Sequence, residues 1–127
     1  MNKDVKVRDE IIFGAYNEAR YGGGIRSFKN LCLAKLEKLV EKDFIDLRDR
    51  QNNCPSVKEI WTFMQKYPDY KAHGYAVTIQ REDYRVSLEG VSKDRSAENI
   101  EELKDFVDMF RYADNFDIEG QMYCWFD

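Results

Sequence analysis

The stretch that decides the fold is Tyr75-Ala76-Val77-Thr78-Ile79-Gln80-Arg81-Glu82-Asp83-Tyr84-Arg85-Val86-Ser87-Leu88-Glu89. Tyr75, Val77 and Ile79 alternate with Ala76, Thr78 and Gln80, and Val86 and Leu88 alternate with Arg85, Ser87 and Glu89. A period of two marks β-strands. With Arg81-Glu82-Asp83-Tyr84 between them, the two runs predict an antiparallel hairpin with a four-residue connection.

Downstream, the period lengthens to that of a helix. Ile100, Leu103, Phe106, Val107 and Phe110 form one apolar stripe, which predicts a helix with Glu101, Glu102, Asp105 and Asp108 facing water. Residues 116–126 alternate again through Phe116, Ile118, Met122, Cys124 and Phe126, predicting a last strand in which Gly120 marks a bulge or turn.

Upstream the signals are helical. Ser56-Val57-Lys58-Glu59 is a capping box, in which each side chain satisfies a backbone donor of the first turn. It predicts a helix over 57–66 that buries Val57, Ile60, Trp61 and Met64 and ends at Tyr67-Pro68. A helix with Asn30 as N-cap would bury Leu33, Leu36, Leu39 and Val40. Val7, Ile11, Ile12, Ala15 and Ala19 predict a first helix over 5–20, followed by the glycine triplet 22–24 as a flexible or tightly turned connection. The expected class is α+β: N-terminal helices, then a β-β-α-β unit with a small antiparallel sheet, in one compact domain over 1–127.

Composition narrows the function classes. At 127 residues, 43% hydrophobic and 35% charged, the chain can bury a core and solvate its surface. No apolar run approaches the roughly 20 residues of a membrane span, and Met1-Asn2-Lys3-Asp4 does not open a signal peptide, so a cytoplasmic protein without membrane partner is expected. Three scattered cysteines (Cys32, Cys54, Cys124) and one histidine supply neither a zinc site nor a disulfide framework, and no cofactor or metal is expected. The net charge of −4 is segregated: from Ala97 onward nine acids face two bases, whereas residues 1–53 carry eleven bases against nine acids.

Four constellations carry candidate chemistry. Cys54, just before the 57–66 helix, could be a thiolate nucleophile served by His73, although no third orienting group is evident, and an enzyme is not expected. Arg20 and Arg26 around the glycine triplet, with Lys29, could bind phosphate or nucleic acid, although neither the P-loop nor the dinucleotide spacing is present. The helix, turn, helix and hairpin order would suit a winged helix, but its reading helix over 57–66 offers only Lys58 and Lys66 and exposes Glu59, so the reading needs Arg20, Arg26, Lys29, Arg48 and Arg50 to lie on one face. The acidic C-terminal third points the other way. Glu98, Glu101, Glu102, Asp105 and Asp108 on one helix, with Asp117, Glu119, Tyr123 and Trp125 on the last strand, would form a face for a basic protein partner, carboxylates imitating a phosphate row and aromatics adding hot spots. A charge run of this kind also reads as a plain solvated face.

Three stretches carry a resemblance: Phe13-Gly14-Ala15-Tyr16-Asn17-Glu18-Ala19-Arg20-Tyr21-Gly22; His73-Gly74-Tyr75 with Tyr84-Arg85-Val86-Ser87-Leu88-Glu89-Gly90; and Tyr123-Cys124-Trp125-Phe126-Asp127. Together they resemble small proteins encoded on prophages and conjugative elements of Gram-positive bacteria. The resemblance implies a mobile genetic element, whose small acidic proteins are often anti-defence factors, anti-CRISPR proteins among them, that inhibit a nuclease by binding it. No motif of such a family matches residue by residue, so no functional position is carried over. The expected function is therefore a non-enzymatic protein-binding inhibitor, and the alternative is a nucleic-acid-binding regulator using the basic N-terminal half.

Overall fold

A computed structural model describes residues 1–127. Its element order is α1 (Val5–Phe13), a 3-10 turn (Glu18–Arg20), β1 (Ile25–Leu31), α2 (Leu33–Glu41), α3 (Val57–Lys66), β2 (Lys71–Val77), β3 (Arg85–Lys93), α4 (Ile100–Phe110), β4 (Asn115–Asp117) and β5 (Met122–Trp125). The strands form one antiparallel sheet in the order β1-β2-β3-β5-β4. The class is α+β, as the residue pattern predicts.

The α3 capping box forms as expected, with Ser56 Oγ accepting from the Glu59 amide and the Glu59 carboxylate accepting from the Ser56 amide. Val57, Ile60, Phe63 and Met64 are buried, and Trp61 is half-buried. Elsewhere the boundaries move. The first helix stops at Phe13 because Gly14 takes the left-handed conformation (φ +86°), and Ala15 and Ala19 lie outside it. Its buried residues are Arg8, Asp9 and Ile12 rather than an all-apolar stripe. Cys32, not Asn30, is the N-cap of α2; Asn30 sits in β1 at φ +62°. Strand β1 escapes a period-two reading because its register shifts between Phe28 and Leu31, so its two core residues stand three apart, as on a helix.

The hairpin is real, but its connection runs over residues 78–84. The Thr78 amide still donates to the Gly24 carbonyl (2.8 Å) in register with β1, but the Thr78 carbonyl accepts from the Arg81 amide (3.1 Å), which turns the chain after Val77. The expected last strand splits at the Gly120 turn (φ +78°) into the β4–β5 hairpin.

All the apolar helix faces pack on one side of the sheet. Phe28 and Leu31, Ala72 and Ala76, Val86, Leu88 and Val91, and Met122, Cys124 and Phe126 share a core cluster with Leu36 and Leu39 of α2, Ile60 and Met64 of α3, and Phe106 and Phe110 of α4. Strand β2 therefore presents its small residues to the helices, and the bulky Tyr75 points away. Helix α4 is rotated from its predicted stripe. Ile100 is 77% exposed, whereas Glu102 is 3% exposed.

Glu102 belongs inside because it is fully partnered. Lys93 Nζ donates to its Oε2 at 2.5 Å and Tyr70 Oη at 2.8 Å, while the Glu98 amide donates to its Oε1. Burial by itself raises the Glu102 pKa, but these donors outweigh it and hold the carboxyl below the usual carboxylate range. Such a group stabilises the fold above the ordinary carboxylate range, and that contribution is lost as pH falls through its folded value. Lys93→Met, which strands this buried carboxylate, is expected to lower the unfolding free energy by about 3–5 kcal/mol, and adding Glu102→Leu to recover most of it. Urea unfolding midpoints of the two variants check this.

Candidate functional site

Two surfaces result, on opposite sides of the molecule. The first is a groove of about 400 Å³ between α3 and α4, lined by Glu59, Thr62, Phe63, Lys66, Tyr67, Asp105, Asp108 and Met109. Helical spacing places Glu59, Thr62 and Lys66 along the polar edge of α3, and Asp105, Asp108 and Met109 along the facing edge of α4. Asp105 accepts from Tyr67 Oη (2.5 Å) and Lys66 Nζ (2.9 Å), which hold its carboxyl below the usual range. Burial, and next the bond to Asp105, push the Tyr67 phenol up to about 12. Asp108 has no partner in the chain. Arg50 engages Glu59 and Lys66 engages Asp105, so Asp108 is the free carboxylate, and its charge above the Phe63, Tyr67 and Met109 side chains suits a cationic side chain with an apolar stem.

The second surface is the face of the sheet that no helix covers. His73, Tyr75, Tyr123 and Trp125 occupy it. His73 is sandwiched, its ring stacked on Tyr123 (5.4 Å between centroids) and on Trp125 (4.8 Å), and Tyr75 meets Trp125 edge-on at 5.5 Å. The imidazole reaches across Gly90 to the Cys124 carbonyl, with Nε2 2.7 Å from the oxygen, so Nε2 carries the proton and donates. Lys29 and Lys71 flank this stack on the β1–β2 side, Asp117 and Asp127 on the β4–β5 side. The Ser87 hydroxyl donates to the buried Glu89 Oε1 (3.4 Å), and burial raises the Glu89 carboxyl.

The nine residues of the expected acidic face do not form one surface. Glu98 and Glu101 are exposed and lie near Arg95 and Lys66, Glu102 is buried, and only Asp105 and Asp108 line the groove. Asp117, Tyr123 and Trp125 belong to the uncovered sheet face because β5 alternates, sending Met122 and Cys124 into the core. Glu119 stands in the turn beside Asp117, which accepts from its amide. Glu59, Thr62, Phe63, Tyr67 and Met109 also line the groove, and no local pattern marks them as site residues. Their signal, a polar α3 edge facing the α4 acids, needs the helix pairing to be known.

The remaining candidates are placed elsewhere. Cys54 is fully buried, and burial raises its thiol far above the ordinary value, the opposite of what a helix N-terminus would do. In the glycine triplet the Gly22 amide donates to the Ile25 carbonyl, while the Gly23 and Gly24 carbonyls accept from Arg81 and from the Thr78 amide. Arg26 lies over the Phe13 ring at 3.6 Å, Arg20 is exposed in the 3-10 turn, and Lys29 is exposed on β1. Arg48 pairs with Asp46, and Arg50 with Glu59. No helix is long and apolar enough to cross a membrane. Comparison with protein-family models, with curated proteins and with solved structures finds no match for the chain.

Burial of His73 lowers its pKa to about 4, against the opposing pull of the Cys124 carbonyl and with help from the Lys29 charge. The folded state thus favours the neutral ring, and the unfolded chain takes up the proton first. Stability is expected to fall by about 3 kcal/mol as pH drops from the ordinary histidine value to 4, and His73→Gln to lose that part of the slope. Chemical denaturation of both proteins across this window measures it. Gly90→Ala should destabilise at every pH, because a Cβ there would lie 2.0 Å from the Cys124 oxygen.

Proposed function

We propose that the chain is a non-enzymatic binding factor whose partner is a protein that inserts lysine or arginine side chains into the α3–α4 groove. The carrying observation is the groove itself: Asp108 stands unpaired above an apolar floor, beside Glu59 and Asp105, which Arg50 and Lys66 engage. The surplus of acids in the C-terminal third adds a long-range field of the same sign, which speeds encounter with a basic surface. In the mobile-element context that the resemblance implies, the partner is a host defence nuclease, and the groove would occupy cations that otherwise hold nucleic acid.

The test is capture from nuclease-treated lysate of a Gram-positive host at low and high salt, wild type beside Asp108→Lys. Asp108 is exposed and unpaired, so its reversal leaves the fold intact. One nucleic-acid-processing protein should bind the wild type in a salt-sensitive manner, and the purified pair should weaken at least about tenfold on Asp108→Lys. Equal capture by both proteins would remove the groove from the reading.

A further inference from the structure

The uncovered sheet face is polarised. Neither Lys29 nor Lys71 has an ion-pair partner in the chain, and both stand on the β1–β2 flank. Asp117 and Asp127 stand on the β4–β5 flank, where Asn115 and Asp117 are the cross-strand neighbours of Trp125 and Tyr123. Between the flanks, Tyr75, Tyr123 and Trp125 are half-buried, locked by their mutual packing around His73. At the far end of the face Arg85 is engaged by Asp83, and in the middle Glu89, next to Gly90, is buried beside Ser87, so neither offers an exposed charge that alters this polarity.

A surface that is basic on one edge, aromatic in the middle and acidic on the other is complementary to itself. A two-fold axis lying in the interface and parallel to the strands lays β1 of one copy over β4 of the other. Lys29 and Lys71 then face Asp117 and Asp127 twice over, and the aromatic centres meet. The geometry points to a homodimer formed by face-to-face packing of this sheet surface, with the two α3–α4 grooves on its outer sides. A single-stranded nucleic acid would also stack on aromatics, but its phosphates would have to cross the acidic flank, and the opposing charges on this face cancel. Five strands about 4.8 Å apart and about 20 Å long give a footprint of roughly 450 Å² per copy. Two such faces bury roughly 900 Å², below the roughly 1,200–2,000 Å² of stable interfaces, so the dimer is weak, reversible and concentration-dependent. The inference is independent of the groove, which lies on the other side of the sheet.

Sedimentation velocity of the full chain over a concentration series tests it, with variants at the exposed Lys29 and the half-buried Lys71 and Asp117. The wild type should pass from monomer to dimer, and Lys29→Glu should weaken dimerisation at least about tenfold at low salt by setting like charges opposite each other. Adding Asp117→Lys to Lys29→Glu should restore it. Since Asp117 also accepts from the Glu119 amide, Lys71→Glu provides a second disrupting variant that leaves the β4–β5 turn alone. A chain that stays monomeric at every concentration would overturn the inference. So would a dimer indifferent to both lysine reversals, or stoichiometric binding of an oligouridylate probe to the monomer through Trp125. Groove-dependent capture of a partner by a strictly monomeric chain would sink the dimer and leave the proposed function standing.

Discussion

Two positions in the middle of the sheet must lack a side chain. A Cβ on Gly74 would lie 1.9 Å from the Ser87 carbonyl oxygen, and one on Gly90 would lie 2.0 Å from that of Cys124. In both cases the obstacle is backbone, which cannot swing aside as a flexible side chain can. The close approach stems from the bulge opposite His73 and Gly74, where Glu89 is the extra residue of β3. Because Gly90 leaves its space empty, His73 crosses β3 and fastens β2 to β5 through the Cys124 carbonyl. The aromatic stack of the uncovered face depends on that one crossing.

On the other side of the sheet, buried charges align the helices. Lys93 of β3, Tyr70 before β2 and Glu102 of α4 form one hydrogen-bonded unit, which sets the rotation of α4. With Glu102 turned inward, Asp105 and Asp108 come round to face α3, and the groove follows. At the opposite end of the strands, Arg8 of α1 donates to the Val77 carbonyl (2.9 Å), to Asp9 (2.9 Å) and to Tyr21 (3.0 Å), and lies against the Tyr84 ring. Both clusters satisfy their charged groups with hydrogen bonds inside the protein. That condition allows charges to sit in a core, and it makes a half-removed pair so costly.

The two candidate surfaces differ in physical character. The groove sets the exposed Asp108 carboxylate beside an apolar floor, and its attraction for a cation is long-ranged and weakened by salt. The sheet face is held by packed rings, with less side-chain entropy to lose on contact, so its contribution is short-ranged and dominated by apolar area. A protein with both could use one for assembly and the other for a partner.

What was legible in the chain was local. The Ser56–Glu59 box, the Gly120 break and the change of period after Lys93 are each decided by residues a few positions apart, and the helices, the hairpin and the α+β class followed from them. The candidate site was only partly legible. Asp105, Asp108, Tyr123 and Trp125 were identifiable as acids and aromatics with surface potential, but their division between two sides of the sheet was not. Which face of β2 turns inward depends on its register with β1 and β3, a contact between residues tens of positions apart. The rotation of α4 likewise depends on Lys93 and Tyr70, partners that make burial of Glu102 favourable where its own sequence neighbourhood argues against it. The sequence by itself determined α3, α4, the β2–β3 hairpin and the α+β class, because propensity and capping act within a turn or two, but not β1, whose register shift hides its period. Only the tertiary structure decided the faces, because burying a charge or a glycine is settled by what lies across from it.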